Sequence, residues 1–182
     1  MPVPQSMRER ADLERVRRFL KELGRAAPAG SRAYLVGGAT ALLEGWRETT
    51  VDVDLRLEPD HDALLRSIAE LKERLDVNVK LAAPPDFIPE LPGWRDRSPF
   101  VMREGLLDVH HFDFYSQALS KIERGFVQDL DDVSEMVRGG RVEPRRALDL
   151  FDAIYPEMFR YPAIDPDAFR AKVHAILGPS IN

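Results

Sequence analysis

Two aspartates separated by a single residue, Asp52 and Asp54, have the spacing in this sequence that most directly suggests chemistry. Alternate side chains of a β-strand point to the same face, so the two carboxylates would lie side by side. Two such anions repel each other unless a cation lies between them, and a divalent metal is the commonest such cation. Gly37 and Gly38 precede this pair, directly after a short apolar run. The stretch therefore predicts a functional site.

Composition and charge exclude several classes of protein. The chain has 182 residues, a net charge of -5 and no cysteine, so disulfides, thiol nucleophiles and thiolate metal sites are excluded. No window is long and apolar enough for a signal peptide or a membrane span, and the acidic balance argues against broad DNA binding. We therefore expect a cytoplasmic protein with no membrane partner.

The elements that would position the site alternate between helix and strand. Leu13, Val16, Leu20 and Leu23 have helical spacing, and this helix should end near Gly24. The pattern then predicts, in order, a strand at 32–36, a turn into a short helix at 37–46, a strand at 51–58, a helix at 61–75 and a strand at 77–82.

The remaining sequence predicts a loop, a hairpin and a series of helices. Residues 83–100 contain five prolines, which predicts an irregular loop, and residues 100–114 read as a hairpin that turns at Glu104 and Gly105. Four helical patterns follow. The predicted class is α/β (α+β), with a small mixed sheet flanked by helices. We expect a core domain at 1–113 and a helical region at 114–182 packed on it.

Two motifs in this arrangement resemble a known family. A Gly-Gly turn entering a helix, followed by Asp52-x-Asp54 on the next strand, resembles the nucleotidyltransferase fold of DNA polymerase beta-like enzymes. Downstream, "SKIERGFVQDLDDV" resembles the Lys, Arg, Asp and Asp pattern of the AbiEii-type toxin group and of the related DUF6036 nucleotidyltransferase-like proteins. The run from Tyr34 to Val137 is similar to the DUF6036 group as a whole.

The resemblance implies transfer of NMP from an NTP to a hydroxyl, with Mg²⁺ or Mn²⁺ as the cofactor. It implies that Asp52 and Asp54 hold the metal and are catalytic, and that Lys121 is a catalytic cation. It implies that a further set of residues binds the nucleotide: Gly37, Gly38, Arg47, Thr50 and Arg124. Arg47 lies one position further from the acidic pair than the toxin pattern usually has it.

The downstream acids have two interpretations. Asp129 and Asp132 are three residues apart on a predicted helix and could orient the cations Lys121 and Arg124. The alternative is a set of helix-surface ion pairs without a role in chemistry. The sequence alone does not decide between them.

A third carboxylate, which such enzymes use to activate the attacking hydroxyl, is missing from its expected strand. The outward position there is Asn78, whose amide can ligate a metal but cannot act as a base. Asp76, Asp86 or Asp108 could substitute. This gap supports an alternative function, a nucleotide-binding or interaction module with weak or lost chemistry, such as one component of a toxin–antitoxin pair.

Other candidate residues are expected to have structural roles or to line the cleft. In "DVHHFD", Asp108 and His110 would face one side of a strand and His111 and Asp113 the other, so the four cannot close one metal site. Trp46 and Trp94 are likewise expected to pack rather than to stack on a base. The sequence does not distinguish between a protein, an RNA and a small molecule as the acceptor. It is also compatible with a homo-oligomer.

Overall fold

The computed structural model of the protein describes residues 8–179. Residues 1–7 and 180–182, which include the start of the predicted core domain and the end of the predicted helical region, lie outside the described residues. The chain divides into two compact units. The first contains the residues up to Ala83 together with Pro99–His111, and the second contains Pro84–Ser98 and the chain from Phe112 onward.

The first unit is built on a mixed sheet. Among the residues described, its five strands are ordered β5-β4-β2-β7-β6. β2 is antiparallel to β4 and parallel to β7, β4 is parallel to β5, and β6 and β7 form an antiparallel hairpin. A separate ladder joins β1 to β3. The strands are β1 (Ala11–Asp12), β2 (Ser31–Val36), β3 (Thr49–Thr50), β4 (Asp52–Glu58), β5 (Asn78–Lys80), β6 (Phe100–Glu104) and β7 (Leu107–His111).

The helices of this unit are α1 (Leu13–Arg25), α2 (Gly38–Glu44) and α3 (Asp62–Arg74). Asp12 caps the N-terminus of α1, because its carboxylate accepts a hydrogen bond from the Arg15 backbone N–H at 2.9 Å. The apolar faces of α1 and α3 and the buried face of the sheet form one core. That core fixes the strand that carries the two aspartates.

The alternation along β4 agrees with the sequence prediction. Val53, Leu55 and Leu57 are buried in the core, and the residues between them lie on the opposite face. The predicted strand at 51–58 begins one residue later, at Asp52, and Val51 is 48 % exposed. Asp52 and Asp54 therefore share one face of a rigid strand.

The second unit is helical. It comprises α4 (Trp94–Arg97), α5 (Phe114–Arg124), α6 (Val127–Arg138), α7 (Pro144–Ile154) and α8 (Pro166–Leu177), with 3-10 turns at Pro84–Asp86 and Tyr155–Arg160. The proline-rich stretch, predicted as wholly irregular, contains α4 and a 3-10 turn. The mixed α/β class is confirmed.

The segment Pro84–Ser98 is anchored within this helical unit. The Trp94 ring stacks on Phe112 with centroids 4.2 Å apart, and Arg97 Nη2 lies 2.8 Å from Asp113 Oδ2. Asp113 also caps α5, accepting hydrogen bonds from the backbone N–H groups of Tyr115 and Ser116. One buried carboxylate thus joins the segment to the helix that follows it.

Candidate functional site

The Gly37–Gly38 turn brings the backbone against the acidic strand. Gly37 has φ 62° and follows β2 directly, and Gly38 begins α2. A Cβ on Gly37 would lie 3.4 Å from Asp54 Oδ2, and one on Gly38 would lie only 1.9 Å from Thr50 Oγ1. The left-handed φ of Gly37 and the close approach at Gly38 both require glycine. The turn, Thr50 and Asp54 therefore form one group.

Two further residues of this group, Thr50 and Arg47, lie close to Gly38. Thr50 is buried, and its hydroxyl donates to the Asp52 carbonyl oxygen at 2.8 Å. Arg47 Nη1 would lie 3.7 Å from a Cβ on Gly38. Despite its unusual spacing in the sequence, Arg47 therefore lies beside the glycine turn, where a guanidinium could meet a phosphate.

The two aspartates lie at the start of β4, between β2 and β5. Asp54 is aligned with Val36, the last residue of β2, and Asp52 is aligned with Asn78 on β5. Both carboxylates are half-buried on the polar face of the sheet. Paired oxygen ligands on a rigid strand fit a hard divalent cation such as Mg²⁺ or Mn²⁺.

Asn78, at the expected place of the third acid, is buried and faces an arginine. Arg8 Nη1 is 3.5 Å from Asn78 Oδ1 and donates to the Val77 carbonyl at 3.0 Å. The same guanidinium pairs with Glu73, and its Nε is 3.8 Å from Asp76 Oδ1. The amide at position 78 thus lies beside a buried positive charge.

The alternative third acids do not complete a three-ligand cluster. Asp76 lies beside Arg8, and Asp108 pairs with Arg103 at 3.7 Å. Asp86 belongs to the 3-10 turn of the helical unit. Within residues 8–179, no group of three or more His, Asp or Glu side chains is arranged to hold a metal ion.

The other predicted cluster lies within the helical unit and joins α5 to α6. Lys121 Nζ is 2.8 Å from Asp132 Oδ2 and 3.6 Å from Asp129 Oδ1, and all three residues are buried. Arg124 is more exposed, and its Nε donates to Asp129 Oδ2 at 2.8 Å. The acids thus contact the cations directly, but the burial of Lys121, Asp129 and Asp132 does not fit the alternative of ion pairs on a helix surface.

The electrostatics of this cluster stabilise the charged form of Asp129. Burial acts to raise the pKa of Asp129, but the hydrogen bond from Arg124 and the charge of Lys121 outweigh it. The pKa of this carboxyl therefore lies below its ordinary value of 3.8. By linkage, the stability that the ionised carboxylate contributes is present above that value and is lost as the pH falls through the lower, folded-state pKa.

Asp129→Asn is accordingly expected to lower the free energy of unfolding by about 1.5 kcal/mol at pH 7, because a charge-assisted hydrogen bond is weakened. The difference from wild type should shrink below pH 3.8. Urea denaturation at pH 7, 4.5 and 3 measures it. Asp131→Asn, an exposed neighbour on α6, is the control. A difference that stayed constant with pH would contradict the assigned electrostatics.

The histidines of the hairpin strand differ in burial, as their alternation along β7 predicts. His111 is buried, with Nδ1 3.1 Å from Thr40 Oγ1 and Nε2 3.2 Å from Glu44 Oε1. The His110 ring lies 5.4 Å from the ring of Tyr34. Both contacts tie β7 to neighbouring elements of its own unit.

Two residues of the site were missed by the sequence analysis. Lys80 Nζ lies 3.1 Å from Asp52 Oδ2, and Arg8 contacts Asn78. Lys80 could have been found, because Asn78 and Lys80 alternate with Val77 and Val79 along the predicted strand at 77–82 and so share a face. No sequence pattern links Arg8 to a residue 70 positions away.

The comparison with known families bears on this geometry. The sequence model of a family described as a nucleotidyltransferase of unknown function (DUF6036) matches residues 11–163. The chain belongs to this family. The DUF6036 match includes all the predicted site residues, from Gly37 to Asp132.

Membership of DUF6036 confirms the family predicted from the glycine turn and the acidic pair. It makes the chain a member of a nucleotidyltransferase family, and a nucleotide is the substrate which that description implies. Searches of curated proteins and of solved structures found no match. Of the helices in residues 8–179, none has the length and apolar character needed to cross a membrane.

Proposed function

We propose that this protein is a Mg²⁺-dependent nucleotidyltransferase that moves an NMP from an NTP to an acceptor hydroxyl, with Mn²⁺ as a substitute metal. The observation that carries the proposal is the contact between the glycine turn and the acidic strand, where a Cβ on Gly37 would lie 3.4 Å from Asp54 Oδ2. A triphosphate approaching the turn backbone would also be close to the carboxylates that hold a metal.

Asp52 and Asp54 would hold the ion, and the turn would receive the triphosphate. The bound metal would neutralise phosphate charge and polarise the α-phosphate. Arg47, beside the turn, would add a positive charge to the phosphates. The acceptor oxygen would form a bond to the α-phosphorus while the bond to the β-phosphate oxygen breaks and pyrophosphate leaves.

The acceptor proton would leave to solvent water, since the amide of Asn78 cannot take it. Without a general base at Asn78, we expect NMP transfer to be slow relative to nucleotide binding. The missing base also favours the second candidate function, a nucleotide-binding module with weak transfer. Incubation with each α-labelled NTP, Mg²⁺ and a cell extract would distinguish the two, because the enzyme should label protein or RNA acceptors well above the level in extract alone, whereas the module should not.

The roles of Lys121 and Arg124 remain predictions from the family resemblance. Arg124 has a guanidinium side chain 55 % exposed, which could contact a phosphate. Lys121 Nζ is held by Asp132 and Asp129. We assign Lys121 the task of fixing α5 and α6 in the arrangement that presents Arg124.

The decisive experiment is calorimetry with a non-hydrolysable NTP analogue. Wild type should bind it in Mg²⁺ and lose at least about tenfold in affinity in EDTA or in Asp54→Asn, because the ion that bridges carboxylates and phosphates is lost. Glu58→Gln is the matched control, since it removes one charge from the same strand and Glu58 pairs with Arg56 at 3.3 Å. Equal affinity in Mg²⁺ and EDTA would refute metal-dependent binding.

A further inference from the structure

A lysine lies on the acidic pair from the neighbouring strand. Lys80 is aligned with Asp54 across the parallel β4–β5 ladder, and its Nζ is 3.1 Å from Asp52 Oδ2. The Lys80 side chain is 59 % exposed and that of Asp52 is 25 % exposed. The ammonium therefore touches one of the proposed metal ligands, on a side chain that is more than half exposed.

The strand that should supply the third carboxylate supplies this positive charge instead. The positions of β5 on the polar face are Asn78 and Lys80, and the Asn78 oxygen already lies 3.5 Å from the Arg8 guanidinium. Two divalent ions in one phosphoryl-transfer site are normally shared among several carboxylates. Here Asp52 and Asp54 contribute two negative charges and Lys80 one positive charge, which leaves a net charge of -1 for these side chains.

One divalent cation brings the net charge of these side chains from -1 to +1, so they offer no further negative charge to a second ion. We propose that the site takes a single divalent ion and that Lys80 supplies the positive charge a second ion would bring. The inference rests on the proposed function. Without nucleotide, the ammonium holds Asp52 and competes with the metal for its oxygen. With nucleotide, the same charge favours binding of the triphosphate.

This dual role predicts changes of opposite sign in Lys80→Met. Mn²⁺ added to the protein alone should bind about twofold to fivefold more tightly than to wild type, because a partly exposed ion pair to Asp52 no longer competes. The non-hydrolysable NTP analogue in Mg²⁺ should bind about tenfold more weakly, because a charged partner of the phosphates is lost. A merely structural role would not produce these opposite changes.

The test counts free Mn²⁺ by electron paramagnetic resonance, with and without saturating analogue, and measures the affinity of the analogue by calorimetry. Wild type should bind one Mn²⁺ per chain in the presence of the analogue. Arg56→Met is the matched control, because it removes a positive charge from the same face but Arg56 pairs with Glu58 at 3.3 Å. It should leave both affinities unchanged.

Two results would overturn the inference. One is two Mn²⁺ ions per wild-type chain with the analogue, and the other is a Lys80→Met variant that behaves like Arg56→Met or weakens both ligands. Asp54→Asn separates this failure from that of the proposed function. If Asp54→Asn binds Mn²⁺ and the analogue like wild type, the proposed function fails, and the inference fails with it. If Asp54→Asn loses binding of both Mn²⁺ and the analogue, the proposed function is supported, and the Lys80→Met result alone decides the inference.

Discussion

Lys121→Met is expected to lower the free energy of unfolding by about 3–5 kcal/mol, because it leaves buried carboxylates without their buried cation. Lys121 Nζ is 2.8 Å from Asp132 Oδ2 and 3.6 Å from Asp129 Oδ1. Methionine keeps the length and apolar stem of lysine, so the loss reflects the charge rather than a cavity. Urea denaturation at pH 7, followed by circular dichroism, measures it.

A control variant and a double variant accompany Lys121→Met. Lys172 on α8 is exposed and its Nζ donates to the Glu123 carbonyl at 2.9 Å, so Lys172→Met should cost less than about 1 kcal/mol. Adding Asp132→Asn to Lys121→Met removes the stranded charge and should restore part of the stability. A loss below about 1 kcal/mol in Lys121→Met would mean that the cluster is hydrated and that its ion pairs contribute little.

This result also bears on the function of Lys121. If Lys121→Met folds and binds the nucleotide analogue as wild type does, Lys121 acts through the helix pair and not on the phosphates. Arg124→Met offers the contrast, since its guanidinium is largely exposed and bonds Asp129 from the cluster edge. A loss of nucleotide affinity in Arg124→Met with little change in stability would support its predicted phosphate contact.

The polar face of β4 was predictable because its cause is local. Alternation of apolar and polar residues from Asp52 to Leu57 fixes which side of the strand enters the core. The Gly37–Gly38 turn was predictable for a similar reason, because glycine marks close backbone approach and left-handed φ. Local patterns thus identified the face and the turn that form the candidate site.

What the sequence did not reveal depends on contacts between distant segments. The short β1–β3 ladder joins Ala11 to Thr50, and neither strand is long enough to produce an alternating pattern. The contact of Arg8 with Asn78 depends on where the chain passes after folding. Because of that contact, Asn78 is not only the residue that replaces an acid but also a buried amide beside a positive charge.

Replacing Gly38 by alanine tests the close packing of the glycine turn on Thr50, beside the acidic strand. Its backbone is helical rather than left-handed, so alanine at such a position would by itself favour the helix by about 0.5–1 kcal/mol. The added Cβ, however, would lie 1.9 Å from Thr50 Oγ1 and 2.7 Å from Thr50 Cβ. We expect a loss of about 3 kcal/mol in stability from this overlap, and no detectable binding of the nucleotide analogue.

Thr50→Gly removes both atoms that the new Cβ would meet, so the double variant should be more stable than Gly38→Ala alone. Thr50→Gly alone loses the hydroxyl bond to the Asp52 carbonyl and is the reference for that cost. Recovery of stability without recovery of nucleotide binding would mean that the triphosphate needs the bare glycine backbone or the Thr50 hydroxyl, and the binding measured for Thr50→Gly separates these. A Gly38→Ala variant with wild-type stability and affinity would contradict both the close packing of the turn on Thr50 and the need for a bare glycine backbone in nucleotide binding.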